Sequence, residues 1–211
     1  MTNKSIMKIV ASLAACLSFS ASVCSAFDYS STVNSLIQFN GDSTFNFTPS
    51  SNNIRITSGG AAGLIGEITG VYTIGTVTTA IDGSQTAPVT GTGTFVIHDG
   101  VNDLTGTVVW LDIGEFGVFG GANLTGTVNL TGITYSGSNP DLLAVKNAGS
   151  AINVLSFQFA GVESLDLLKS VSTSTSFSGT VVIPKAPPCN CVLSFNAPNL
   201  TNCFEIGRAH V

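Results

Sequence analysis

The sequence predicts an all-β fold, an antiparallel β-sandwich or barrel of about nine or ten strands with one or two short helices. Three observations lead to this prediction. Apolar and polar residues alternate over short runs, as in half-buried strands. Clusters of Gly, Asn and Asp separate these runs at the spacing of strand-connecting turns. Thr, Val, Ile and Phe dominate the runs, and these residue types suit a pleated surface.

The predicted strands follow one another along a body that we place at residues 27–183. Alternation is strict over residues 44–48 and 53–57, where every second side chain is Phe or Ile. The body contains no Cys, so we expect packing alone to stabilise it. The strand-like runs are residues 29–39, 44–48, 53–57, 66–79, 92–98, 104–113, 123–134, 152–159 and 175–183.

Two short segments have helical character. The first begins at Asn139, an N-cap residue type, followed by Pro140 at the first helical position. The second covers residues 163–170, whose sequence is Glu-Ser-Leu-Asp-Leu-Leu-Lys-Ser. Both are one or two turns long, so we expect them to cap the β-structure and not to form a layer.

The composition excludes several protein classes. Charged residues make up 9% of the chain, against about 25% in an average soluble domain. Seven Lys and Arg against twelve Asp and Glu give a net charge of −5, which argues against binding nucleic acid. With 44% hydrophobic residues, the chain also lacks the composition of a disordered polymer.

The first 26 residues have the pattern of a secretory signal peptide. Lys4 and Lys8 precede an uncharged, apolar stretch, and Cys24-Ser-Ala26 offers small residues for cleavage after Ala26. The stretch is too short and too rich in Ser for a membrane span. An alternative is a lipoprotein signal, because Leu13-Ala-Ala-Cys16 has the form of a lipobox. Cys16 would then be lipidated and anchor the chain to a membrane.

The C-terminal segment differs in composition from the body. Residues 184–204 contain Pro184, Pro187 and Pro188, and we interpret them as a linker or as the start of a second module. For an exported chain, disulfides are the favoured reading of the three cysteines in this segment, with a zinc site as the alternative. Residues 205–211 match one reading frame of a common sequencing adapter, so we expect the natural chain to have been cut off before them. The three cysteines are Cys189, Cys191 and Cys203.

The turn after His98 is a weak candidate for a calcium site. Asp99, Asn102 and Asp103 offer side-chain oxygens, which calcium prefers as ligands. The alternative is an ordinary turn, in which Asp and Asn side chains bond the backbone. Because calcium takes six to eight oxygens, this short loop supplies too few by itself.

A second candidate site lies around Trp110. Asp112 and Glu115 are two carboxylates close to this aromatic residue, and paired carboxylates are the catalytic groups of glycosidases. The alternative is a pair of solvated carboxylates at a strand end. We find no serine-hydrolase, metalloprotease or phosphate-binding motif, and we predict no catalytic residue and no cofactor.

Short phrases repeat along the body. Leu104-Thr-Gly-Thr-Val108 recurs as Leu124-Thr-Gly-Thr-Val128 and, more loosely, as Phe177-Ser-Gly-Thr-Val181. We expect similar strands of one antiparallel sheet, with Gly marking a bend or a bulge. With Gly93-Thr-Phe-Val-Ile-His98, these phrases resemble the bodies of exported bacterial proteins that carry PEP-CTERM-type sorting signals, common in Verrucomicrobia and Planctomycetes. The resemblance implies a secreted, surface or matrix-associated β domain and supplies no functional residues.

The sequence therefore predicts a non-enzymatic extracellular surface or matrix domain of a bacterium. An extracellular polysaccharide or matrix is the expected partner. The alternative is a carbohydrate-binding or carbohydrate-active β jelly roll. A cleft that holds Trp110, Asp112 and Glu115 together would favour that alternative.

Overall fold

The computed structural model describes residues 23–116, 123–159 and 164–184, which belong to one compact unit, Val23–Pro184. The predicted signal segment up to residue 22, the cysteine-containing tail and the adapter-like end lie outside the described residues. The strands are β1 Val23–Ser31, β2 Leu36–Asn40, β3 Thr44–Thr48, β4 Ile54–Ile56, β5 Ile65–Ile68, β6 Val71–Ile74, β7 Thr78–Thr79, β8 Gln85–Thr90, β9 Thr92–His98, β10 Asp103–Phe116, β11 Asn123–Thr134, β12 Ala151–Gln158, β13 Ser172–Thr175 and β14 Phe177–Pro184. The helices are α1 Pro140–Ala148 and α2 Leu165–Ser170.

Eight of these strands close into an antiparallel barrel, which confirms the predicted all-β class. Their order around the barrel is β11–β12–β14–β1–β4–β5–β9–β10, and β10 pairs with β11 to close the ring. The strand β1 begins at Val23, so cleavage after Ala26 would remove its first four residues. Closure removes the unpaired edges that an open sheet exposes.

The remaining strands form a second sheet that branches from β10. The first half of β10, Asp103–Val109, pairs with β9, and Asp112–Glu115 pairs with β8. A bulge between Trp110 and Asp112 marks the change of partner. From β8 the sheet continues through β6, β3 and β2 to β13, and the two-residue strand β7 also pairs with β8. A bulge bends its strand and increases the local twist, which accounts for the branching at this point.

An aromatic core joins the second sheet to the barrel strands. The ring of Phe47 lies 4.9 Å from that of Phe177, and the ring of Phe45 lies 4.8 Å from that of Trp110. Phe39 lies 5.8 Å from Phe157. All six side chains are buried. Each buried residue of this size contributes about 1.5–3 kcal/mol of hydrophobic stabilisation, so this core is the main element that holds the two sheets together.

Both predicted helices are present, and each packs on strands. Asn139 is the N-cap of α1, and its side chain accepts hydrogen bonds from the backbone N–H groups of Asp141 and Leu142. Leu142 and Val145 are buried, and α1 contacts β1, β11 and β14. The helix α2 is capped by Ser164 and contacts β2 and β8. Neither helix of the described region is long and apolar enough to cross a membrane.

The described residues form fourteen strands, where the sequence predicts about nine or ten. One predicted run, residues 66–79, is divided among β5, β6 and β7, because Gly70 and Gly75 interrupt it. The strand β8, which contains Pro88, is missing from the prediction. This proline lies between the residues that pair with β7 and those that pair with β6, where no ladder hydrogen bond from its nitrogen is needed.

Candidate functional site

A groove of about 590 Å³ lies on the outer face where β7, β8, β10 and β11 run side by side. Two cross-strand rows of residues build it. Thr78, Thr86, Gly114 and Thr125 pair across the four strands in one row. In the next row, Asp112 pairs with Pro88 on one side and with Thr127 on the other. Gly114 has no side chain to fill the space between Thr86 and Thr125, so the sheet surface is depressed there.

The polar groups of the groove have no partners in the described part of the chain. Neither the Asp112 carboxylate nor the hydroxyls of the four groove threonines make a hydrogen bond to another described residue. Elsewhere on the surface, Thr hydroxyls bond each other, as Thr105 and Thr134 do at 2.7 Å. The apolar lining includes Leu111, whose side chain is exposed. The groove therefore offers one carboxylate, four hydroxyls that no described residue engages, and an apolar contact to a ligand.

The structure does not bring Trp110, Asp112 and Glu115 into one cleft. Trp110 is buried in the aromatic core, and its indole N–H donates to the Asp112 backbone oxygen at 2.6 Å. Asp112 is exposed and lines the groove, whereas Glu115 is buried on the opposite face of β10. Burial raises the pKa of Glu115 above its ordinary value. Two carboxylates on opposite faces of one strand do not flank a common substrate bond, as a glycosidase pair does.

The calcium candidates form a turn whose oxygens already accept hydrogen bonds. Asp99 Oδ1 accepts from the backbone N–H groups of Val101 and Asn102, and Asp99 Oδ2 accepts from the Tyr135 hydroxyl at 2.5 Å. These bonds lower the pKa of Asp99. Asn102 Oδ1 accepts from Ser136. Within residues 23–116, 123–159 and 164–184, no three His, Cys, Asp or Glu side chains are grouped to hold a metal ion. A calcium site at Asp99, Asn102 and Asp103 stays a prediction.

His98 lies between two carboxylates on neighbouring strands. Its Nδ1 is 2.8 Å from Asp103 Oδ1, and its Nε2 is 2.9 Å from Glu67 Oε2. The hydrogen bonds to Asp103 and Glu67 raise the pKa of His98 above 6.5. Sequence reasoning missed this cluster because Glu67 is 31 residues away in the chain. Since both ring nitrogens are engaged, the imidazole has no free nitrogen to serve as a general base for a nucleophile.

A buried glutamine joins β7, β8 and α2. Gln85 Oε1 accepts from the backbone N–H of Leu165 at 2.8 Å and of Asp166 at 3.4 Å. Its Nε2 donates to Asp166 Oδ2 at 3.0 Å and to the Thr79 hydroxyl oxygen at 3.2 Å. The sequence carries no signal for this cluster, because Asp166 is 81 residues from Gln85 and the amide has no motif around it.

Comparisons with protein-family models, with curated proteins and with solved structures found no match to this chain.

Proposed function

We propose that this chain is a non-enzymatic domain that a bacterium exports and displays on its surface or in its extracellular matrix. The observation that carries the proposal is the chemistry of the outer barrel face. Thr125, Ser156 and Ser178 pair in register across β11, β12 and β14, and none of the three is charged. A stable, hydroxyl-rich and nearly uncharged face suits a domain that is in contact with a hydrated matrix.

The positions of the titratable groups support a role without catalysis. Asp112 and Glu115 lie on opposite faces of β10. His98, the one histidine of the described residues, is held at both nitrogens by carboxylates. General acid–base catalysis needs such groups to converge on a substrate, and these groups do not converge.

Two features of the sequence support export. Residues 1–26 have the pattern of a signal peptide, and the repeated Thr-Gly-Thr phrases resemble exported proteins of the PEP-CTERM type. A lipoprotein attached through Cys16 would place the same domain on a membrane surface.

The export proposal is tested by the mature N-terminus of the full chain in its native cells. We expect a protein outside the cytoplasm whose first residue is Phe27. A chain that starts at Cys16 and takes up labelled palmitate would support the lipoprotein form of the same proposal. A cytoplasmic protein that keeps residues 1–26 would contradict export in both forms.

A second candidate function is binding of a neutral polysaccharide, favoured by the groove around Asp112. Sugar hydroxyls pair well with carboxylate and hydroxyl groups, and the apolar face of a sugar ring can lie on Leu111 or Pro88. The lining contains no Lys or Arg, so an anionic polysaccharide has no countercharge there.

Affinity electrophoresis of the full chain tests this candidate. We expect slower migration in gels that contain a neutral glucan or xylan than in gels that contain alginate. Asp112→Ala should weaken the retardation several-fold, and Asp42→Ala, which removes an exposed acid from the β2–β3 turn, should leave it unchanged. Equal retardation of the Asp112→Ala variant, or none in any neutral gel, would contradict glycan binding in this groove.

A further inference from the structure

The Gln85 cluster places a polarised amide beside a hydroxyl group. Two backbone N–H groups, those of Leu165 and Asp166, point at the carbonyl oxygen of Gln85. Donors in this position stabilise the negative charge that develops on oxygen when a nucleophile adds to a carbonyl carbon. The Gln85 side chain is 9% exposed, so little water competes for these bonds.

Thr79 places a hydroxyl group beside this amide. Thr79 and Gln85 are directly paired on β7 and β8, so their side chains share one face. The Thr79 oxygen accepts a hydrogen bond from Gln85 Nε2 at 3.2 Å, and Nε2 is bonded to the carbonyl carbon Cδ. The fold therefore holds the hydroxyl beside the amide group, which removes part of the entropy cost of bringing them together, and the reaction requires the oxygen to move from this position to Cδ.

Two residues with carboxyl groups flank Gln85. Asp166 Oδ2 accepts a hydrogen bond from the Gln85 nitrogen at 3.0 Å. Glu115 lies directly opposite Gln85 on the other neighbouring strand, β10, and is 5% exposed. Its carboxyl has no hydrogen-bond partner among the described residues, and burial raises its pKa. A carboxyl with a raised pKa keeps its proton to a higher pH than an ordinary Glu and is a better proton donor for a departing nitrogen.

We propose that Thr79 and Gln85 form an intramolecular ester bond, with Asp166 and Glu115 as the proton-transferring groups. The Thr79 hydroxyl oxygen adds to Gln85 Cδ, the Oγ1–Cδ bond forms, and the Cδ–Nε2 bond breaks. Asp166 accepts the Thr79 hydroxyl proton, and Glu115 donates a proton to the amide nitrogen, which leaves as ammonia. The proton held by Asp166 then returns to Glu115 through solvent, so that both carboxyl groups regain their starting states. The reaction needs no oxidant, metal or second substrate.

The ester would stabilise this domain covalently, as a disulfide stabilises other exported domains. The body from residue 27 to residue 183 has no Cys. The strand β7 has two residues and pairs with β8 alone, so it is the least anchored strand of the described fold. A covalent link between paired residues closes the hairpin and reduces the conformational entropy of the unfolded chain. The inference goes beyond the proposed function, and its test does not depend on export.

Mass spectrometry of the purified full chain tests the proposal. Relative to the mass expected from its sequence, the protein should be lighter by one ammonia molecule, and Thr79→Val should remove this difference. Cleavage of the chain before Asp82, in the turn between the two residues, should leave the resulting peptides joined, and hydroxylamine should separate them. Thr79→Ser keeps the hydroxyl and should keep the link.

Three results would overturn the proposal. The first is a wild-type mass with no ammonia missing after prolonged incubation of the folded protein. The second is a mass loss that persists in Thr79→Val, because it would come from another amide. The third is complete separation of the peptides on cleavage before Asp82. Glu115→Gln should slow the mass loss after refolding, and an unchanged rate would overturn the role given to Glu115.

Discussion

At the residue scale, the glycines of the repeated phrases are explained by large neighbours on adjacent strands. A Cβ at Gly126 would overlap the ring of Trp110, and one at Gly179 would overlap the ring of Tyr29. Both aromatic side chains are buried. The sequence predicted a bend or a bulge at these glycines. In the structure both lie in regular register with their neighbours, and they make room for an aromatic ring on the next strand.

We therefore expect Gly126→Ala to destabilise the fold. The added methyl group meets the Trp110 ring inside the aromatic core, where overpacking costs about 1–3 kcal/mol. Urea unfolding of the full chain measures the change in the free energy of unfolding. Gly60→Ala is the matched control, because its new Cβ would lie 3.5 Å from Pro140 Cγ, an ordinary contact. Equal free energies for the two variants would contradict this account of the repeat.

His98 makes stability depend on pH. Its hydrogen bonds to Asp103 and Glu67 raise its pKa above 6.5, so the protonated ring is favoured in the folded state. The stabilisation is complete below pH 6.5 and is lost as the pH rises through the higher pKa of the folded state. Because the ring is 35% exposed, solvent screening limits the effect to about 1 kcal/mol.

The measurement compares the wild type with His98→Gln between about pH 6 and about pH 9 by chemical unfolding. We expect the wild type to be more stable than the variant at the lower pH and the difference to shrink at the higher one. A difference that is constant over this range, or that grows with pH, would show that the two carboxylates do not act on a titrating ring.

The sequence predicted individual site residues but not their orientation. Strict alternation of side chains along the strand would place Asp112 on the same face as Trp110 and Glu115 on the opposite face. The bulge after Trp110 reverses this, so that Trp110 and Glu115 point inward and Asp112 points outward. A bulge depends on how neighbouring strands pair, and the alternation of a single strand does not reveal it.

At the element scale, α1 is the element that its own sequence specifies most completely. Asn139 caps it, Pro140 begins it, and Gly149 ends it with a φ of 74°. Asn139→Ala removes the bonds to the N–H groups of Asp141 and Leu142, and we expect a loss of about 1 kcal/mol in the free energy of unfolding.

Asn139→Ser serves as the control for this prediction, because a serine oxygen caps the same N–H groups. Thermal unfolding of both variants is the measurement. If Asn139→Ala were as stable as the wild type, the cap would not contribute to stability, and helix packing through Leu142 and Val145 would suffice.

The sequence predicted the long strands better than the short ones. The long alternating runs became β10, β11 and β12, whereas β7 and β13 have two and four residues and show no periodicity of their own. Short strands exist because a neighbour pairs with them: β13 lies along β2, far away in the sequence. Local propensity carries no information about such partners.

At the scale of the whole molecule, the sequence predicted the fold class and left the architecture open between sandwich and barrel. The structure combines an eight-stranded closed ring with a branching sheet. The ring includes the pair β1 and β14, which lie near opposite ends of the described residues. Composition and alternation predict that strands form, but the pairing order depends on long-range packing that they do not encode.

We propose that this β domain is displayed outside the cell, and surface labelling of intact cells is the most direct test of that display. Val101 is 91% exposed in the β9–β10 turn, and Ala61 is fully buried. In native cells we expect a membrane-impermeant maleimide to label Val101→Cys above the background of the wild-type cysteines. Ala61→Cys should gain label only after denaturation. Labelling of Val101→Cys that appears only after the cells are lysed would contradict surface display.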